Sequence, residues 1–98
     1  MQAGRNIVDG DMKPGLPKHV RLQFEPLRNR WAVLAPERVF WPDDASLSIL
    51  RRCDGATRTD DIIGALCSEY DAPKDTVRDD VFGFLQEWSD KRLITWGK

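Results

Sequence analysis

Ninety-eight residues, 41% of them hydrophobic and 32% charged, with a formal net charge of −1, describe one globular domain that is small for a self-sufficient core. No apolar run approaches the roughly 20 residues a membrane-crossing helix needs, and the polar start Met1–Asp11 lacks the apolar stretch of a secretory signal. Cys53 and Cys67 form no CxxC pair and the single histidine, His19, is remote from both in sequence. No zinc site of the usual four ligands is available, and free thiols in a reducing cytoplasm are expected.

Residues 1–13 read as a disordered leader or an added extension, and the fold is expected over 14–98, opened by the breakers Pro14-Gly15-Leu16-Pro17. Val20, Leu22 and Phe24 alternate with polar residues, the period of a half-buried strand. Glu25–Arg30, with Pro26 and Asn29, predicts a hairpin loop, and Trp31–Ala35 a strand apolar on both faces, hence central. Pro36-Glu37 interrupts, and Arg38–Trp41 makes a third strand stopped by Pro42.

The period then changes. Asp43 or Asp44 can cap a helix carrying Leu47, Ile49, Leu50 and Cys53, with Asp54-Gly55 as a left-handed stop. Thr57 to Asp60 offer caps for a second helix with Ile62, Ile63, Leu66, Cys67 and Tyr70 inward. After Asp71-Ala72-Pro73, the spacing of Val77, Val81, Phe84, Leu85 and Trp88 predicts a third helix with one apolar stripe. Leu93–Trp96 is expected as a last short strand or an extended segment on the core. The fold class is α+β: three short antiparallel strands followed by three helices, an order like a winged helix-turn-helix.

No constellation carries catalysis. His19 has no nucleophile near it in sequence, and the pairs Asp43-Asp44, Asp60-Asp61 and Asp79-Asp80 are neighbours that point about 100° apart on a helix. Glycine-rich phosphate loops are missing from the sequence. Charge decides against nucleic acid. Residues 43–91 carry six bases against twelve acids, and the third helix has Lys74 and Arg78 against Asp75, Asp79, Asp80, Glu87 and Asp90. A recognition helix needs cations for the phosphates. A winged-helix DNA-binding protein is thus the disfavoured alternative, and a purely structural subunit of an enzyme complex is a third reading.

A protein or peptide partner remains. If Glu37–Trp41 is a sheet edge, its main-chain groups are a template that an extended peptide completes, with the third helix as the other wall of a groove, Arg78, Phe82 and Leu85 near its rim. Phe40, Trp41 and Phe82 fit core packing as well as contact. An exposed edge also admits a strand-mediated homodimer beside a monomer.

The stretch Trp31–Gly55, with Leu-Ala-Pro-Glu-Arg-Val and Arg-Cys-Asp-Gly at their spacing, resembles the PqqD family of pyrroloquinoline quinone (PQQ) biosynthesis, and the likeness runs from about Pro17 to Trp96. The resemblance implies a peptide chaperone, a RiPP recognition element. Such a domain takes the leader of a ribosomal precursor peptide as an extra strand and presents it to a radical S-adenosylmethionine (SAM) enzyme, to which any cofactor belongs. It implies a binding strand of Glu37, Arg38, Val39, Phe40 and Trp41 and a helix wall of Arg78, Val81, Phe82 and Leu85, with no catalytic residue, cofactor or metal in the domain itself. On this reading Arg38 and Arg78 can each hold a peptide carboxylate.

Overall fold

The computed structural model describes residues 6–97. In chain order it holds strands β1 (Lys13–Gly15), β2 (Arg21–Glu25), β3 (Arg30–Ala35) and β4 (Arg38–Phe40), helices α1 (Asp44–Leu50), α2 (Thr59–Tyr70) and α3 (Lys74–Asp90), and strand β5 (Thr95–Gly97). The class is the α+β expected, with β2-β3-β4 as an antiparallel meander and β3 central.

Turn chemistry sets the meander's register. Across Pro26–Asn29, Arg28 N–H donates to Glu25 O and Asn29 N–H to Pro26 O, and Asn29 closes the loop at φ 52°, a left-handed value that asparagine tolerates. Pro36-Glu37 is a two-residue connection, proline followed by a residue at φ 64°, as a type II turn requires. The resulting register pairs Phe24 with Trp31, Leu22 with Val33, and Val33 with Phe40. Period-two alternation sends these side chains to one face, where Val33 is fully buried. Leu22, Phe40 and Ala35 pack against the core from the same side.

The core closes between that face and the helices: Ile49 and Leu50 of α1, Ile62, Ile63 and Leu66 of α2, and Val77, Val81, Leu85 and Trp88 of α3. Asp43 caps α1, its Oδ1 accepting from Ser46 N–H at 2.8 Å. That bond holds the Asp43 carboxyl below its ordinary value. At α2 the structure departs from the expected caps. Arg58 occupies the N-cap without a side-chain bond, and Thr57 turns back to Asp54. The segment before β1 does the capping instead: Thr59 N–H donates to Met12 O and Asp60 N–H to Gly10 O, at 2.8 and 2.9 Å. Thr59 is fully buried and its hydroxyl adds a bond to Met12 O at 2.7 Å.

Of the segment read as a leader, residues 1–5 lie outside the described residues. Residues 6–12 lie along the body: Val8 is buried, and the Gln86 side chain of α3 accepts from Val8 N–H and donates to Asn6 O. The breaker cluster itself holds β1, which pairs antiparallel with β5 in a two-stranded sheet, Pro14 opposite Trp96. Each strand of such a ribbon has one side without a strand neighbour, and there proline is tolerated. Gly97 passes so close to Gly55 that a Cβ on it would overlap the Gly55 carbonyl oxygen.

Leu85 is fully buried in this core. Leu85→Ala is expected to destabilise the domain by about 2–5 kcal/mol in urea unfolding, the range for a large core truncation. The Asp43 cap gives a pH signature. Its carboxyl ionises more readily folded than unfolded, so its contribution is present at neutral pH and is lost as the pH falls through the folded value. Acid titration of Asp43→Asn beside the unchanged chain should show a shallower loss of stability.

Candidate functional site

β4 is an edge strand, bonded to β3 on one side only. The tight turn is closed by the pair Ala35–Arg38, followed by Leu34–Val39 and Val33–Phe40. In an antiparallel ladder closed by a two-residue turn, alternate residues bond inward. Arg38 and Phe40 therefore direct their N–H and C=O toward β3, and Val39 directs its own away, where an added strand would meet them.

Side chains alternate across the other axis. Phe40 points to the core and meets Trp88 of α3 with ring centroids 5.3 Å apart, and Trp88 stacks on Phe84 at 4.9 Å. The Arg38 guanidinium lies 5.4 Å from the Phe40 ring centre. Val39, more than half exposed, and Trp41 face the opposite side of the sheet.

Of the sequence-predicted site, the structure brings Glu37–Trp41 together on one edge. On α3 the predicted residues separate. Val81 and Leu85 lie inside the core with 1% and 0% exposure, beneath the surface of α3. Arg78 sits over Phe82 at 5.1 Å. Phe82 is two residues, or roughly 200° of helical rotation, from Phe84, and therefore on the far flank from the Phe40 contact. That far flank, with Gln86 and Ser89, faces the segment 6–8 and Trp96, whose indole N–H donates to Ser89 Oγ. The α3 residue that meets β4 is Trp88, with Phe84 stacked on it, both in the sequence stripe but unmarked there, because periodicity identifies a buried face without saying which edge of it adjoins which strand.

A second feature escaped the sequence reading. An apolar cleft of about 160 Å³ opens between Ala45 and Ile49 of α1, Leu66 and Tyr70 of α2, and Val77 and Val81 of α3. Tyr70 stands half exposed at its mouth, its hydroxyl 2.8 Å from Ser48 Oγ. Residues of three helices form it, so no single periodicity announces it. Among the described residues no group of three or more His, Cys, Asp or Glu is placed to hold a metal ion. Among the described residues no helix is long and apolar enough to cross a membrane.

The family model for Coenzyme PQQ synthesis protein D (PqqD) matches residues 30–94. A PqqA binding protein of Rhodopseudomonas palustris (strain BisB5) is 44% identical over 94 residues, 95% of this chain and 92% of that protein. The solution NMR structure of the PqqD truncation of Methylobacterium extorquens PqqCD, described as a functional and stand-alone RiPP recognition element, superposes with a TM-score of 0.75. It is 33% identical, with 93% of this chain and 96% of that one covered. The crystal structure of PqqD from Xanthomonas campestris gives a TM-score of 0.57 at 35% identity, covering 90% of this chain and 98% of that one.

The two thiols differ. Cys53 is buried beneath α1, its Sγ 3.3 Å from Ile49 O. Burial, reinforced by the Asp54 charge, pushes its pKa from an ordinary 9.0 up to about 12. Cys67 is only half-buried. A maleimide at neutral pH should label Cys67 in the folded protein and Cys53 only with unfolding. Because the unfolded Cys53 ionises first, stability should also fall as the pH rises from 9 toward 12, and Cys53→Ala should flatten that fall.

Proposed function

This chain belongs to the PqqD family, and from that premise we propose that it binds the ribosomal precursor peptide of pyrroloquinoline quinone by strand addition at β4 and presents it to a radical SAM enzyme. The observation that carries the reading is the free outer edge of β4, anchored to α3 through Phe40 and Trp88. The relatives named PqqA binding protein and the RiPP recognition element of matching fold support it.

In this reading residues 14–98 are the binding domain, Glu37–Trp41 is the docking strand, and Phe84 and Trp88 form the wall, with Val81 and Leu85 holding that wall in place. The outward N–H and C=O of Val39 pair with the peptide main chain, and apolar peptide side chains on the inner side meet the aromatic pair. Asp80 lies one turn before Phe84 on the same row of the helix, so a lysine or arginine of the peptide suits that end of the groove. The domain supplies binding and presentation, and bond making belongs to the enzyme. The setting is the cytoplasm, where the precursor is made and thiols stay reduced. The free protein is a monomer or a strand-mediated homodimer, and a homodimer through β4 would occupy the same edge as the peptide.

Two substitutions test the site by calorimetry with the precursor peptide. Val39→Pro removes the outward donor while sparing the bonds to β3, so peptide affinity should fall at least about tenfold with the fold retained by circular dichroism. Phe84→Ala should weaken binding, whereas Arg78→Glu, on the far flank of α3, should leave it within about twofold, below 0.5 kcal/mol. Full affinity in the proline variant would rule out strand addition at this edge. A large loss with Arg78→Glu would move the wall to the Arg78–Phe82 row named from the sequence.

A further inference from the structure

The side of the sheet turned away from the helices has an apolar centre with polar flanks. Ala32, Leu34 and Val39 line a shallow depression of about 190 Å³ there together with Gln23, Glu25 and Arg28, and Trp41 closes one side of it. Two guanidinium groups hold the Trp41 ring, Arg28 at 5.2 Å and Arg30 at 5.4 Å from its centre. Arg30 also donates to the Trp41 carbonyl at 3.5 Å. Cation–π contact leaves the edge N–H groups of a guanidinium free to take a carboxylate, so the two arginines are ordered without being neutralised.

The distribution of ion pairs points the same way. Among the described residues, every ion pair uses a cation of the helical part: Arg52 with Glu69, Arg58 with Asp11, Asp60 and Asp61, and Lys91 with Glu87. None uses Arg21, Arg28, Arg30 or Arg38, although these four stand against only Glu25 and Glu37 in the meander. The sheet layer is thus a basic surface around an apolar centre, on a domain whose helices are strongly acidic.

We infer that this outer sheet face is a second docking surface, for a protein partner that presents carboxylates around an aliphatic side chain, and that it is used while the edge of β4 holds the peptide. The two surfaces share β4 without competing. Val39 offers its main chain to the edge and its side chain to the face, and strand addition lengthens the sheet rather than covering it. The partner's carboxylates would bridge to Arg28 and Arg30, and its aliphatic group would fill the depression beside Trp41. Repulsion from the acidic α2 and α3 would steer such a partner toward the sheet.

The inference takes from the preceding reading only that a modifying enzyme shares the complex, and the purified radical SAM enzyme of the pathway is the probe. The experiment measures affinity of the full chain for the precursor peptide and for the enzyme, separately and together, in the unchanged protein and in Arg28→Glu/Arg30→Glu. The double variant should bind the peptide within about twofold and the enzyme at least about tenfold more weakly. The unchanged protein alone should lose enzyme affinity steeply between about 50 and about 300 mM salt. Arg28→Lys/Arg30→Lys, which keeps the charges, should retain most of the affinity, and matching melting temperatures exclude a folding defect. Unaltered enzyme affinity in the glutamate variant, or peptide binding that blocks the enzyme, would overturn the inference. Absence of enzyme binding by the unchanged chain would do the same while leaving the peptide reading intact, and loss of peptide binding alone would sink that reading instead.

Discussion

A three-residue strand at the margin of a three-stranded sheet has little to hold it. β4 touches β3 through three residue pairs, and what fixes it in space is the seat of Phe40 on Trp88, which is itself stacked on Phe84. Aromatic contacts of this kind contribute about 0.5–1.5 kcal/mol beyond the area they bury, enough to order a short edge. Without that seat the edge would splay from α3. With it, the outward main chain of Val39 is held beside the helix, as the strand addition we propose demands.

The pleat divides the labour of β4. Phe40 and Arg38 look to the helix side, Val39 and Trp41 to the opposite face, and the main chain of Val39 looks sideways. Four residues thus face three directions. Charge follows the same partition: among the described residues the meander arginines form no ion pair, and the helices hold most of the acids. Such layering does little for stability, since exposed pairs contribute little, but it gives the domain an orientation toward a charged partner.

Much of this was legible in the chain. Alternation identified β2, and β3 as central; the Pro-Glu connection and Pro42 bounded β4; and the spacing of Val77, Val81, Leu85 and Trp88 described the buried stripe of α3. The losses share a cause. Helical periodicity finds the buried face but does not orient its flanks, so the sequence named Arg78 and Phe82 without showing that the ring meeting Phe40 is Trp88, on which Phe84 stacks. Composition made residues 6–12 look like leader, although contacts from Val8, Gly10 and Met12 tie them to α2 and α3. A carbonyl that caps a helix 47 positions away leaves no trace in local pattern.

The sequence by itself determined the meander strands, the three helices, their class, and the acidic character of α3. These follow from local periodicity, turn chemistry and counting charges, none of which needs distant residues to be placed. Only the tertiary structure decided that β4 is the edge, that Phe40 seats on Trp88 of α3, that segment 6–12 caps α2, and that Trp41 lies beside two arginines on an outer face. Each of those depends on which residues far apart in sequence meet, and that is settled by packing one core, where the burial of Val33, Leu85 and Ile63 leaves a single arrangement for what surrounds them.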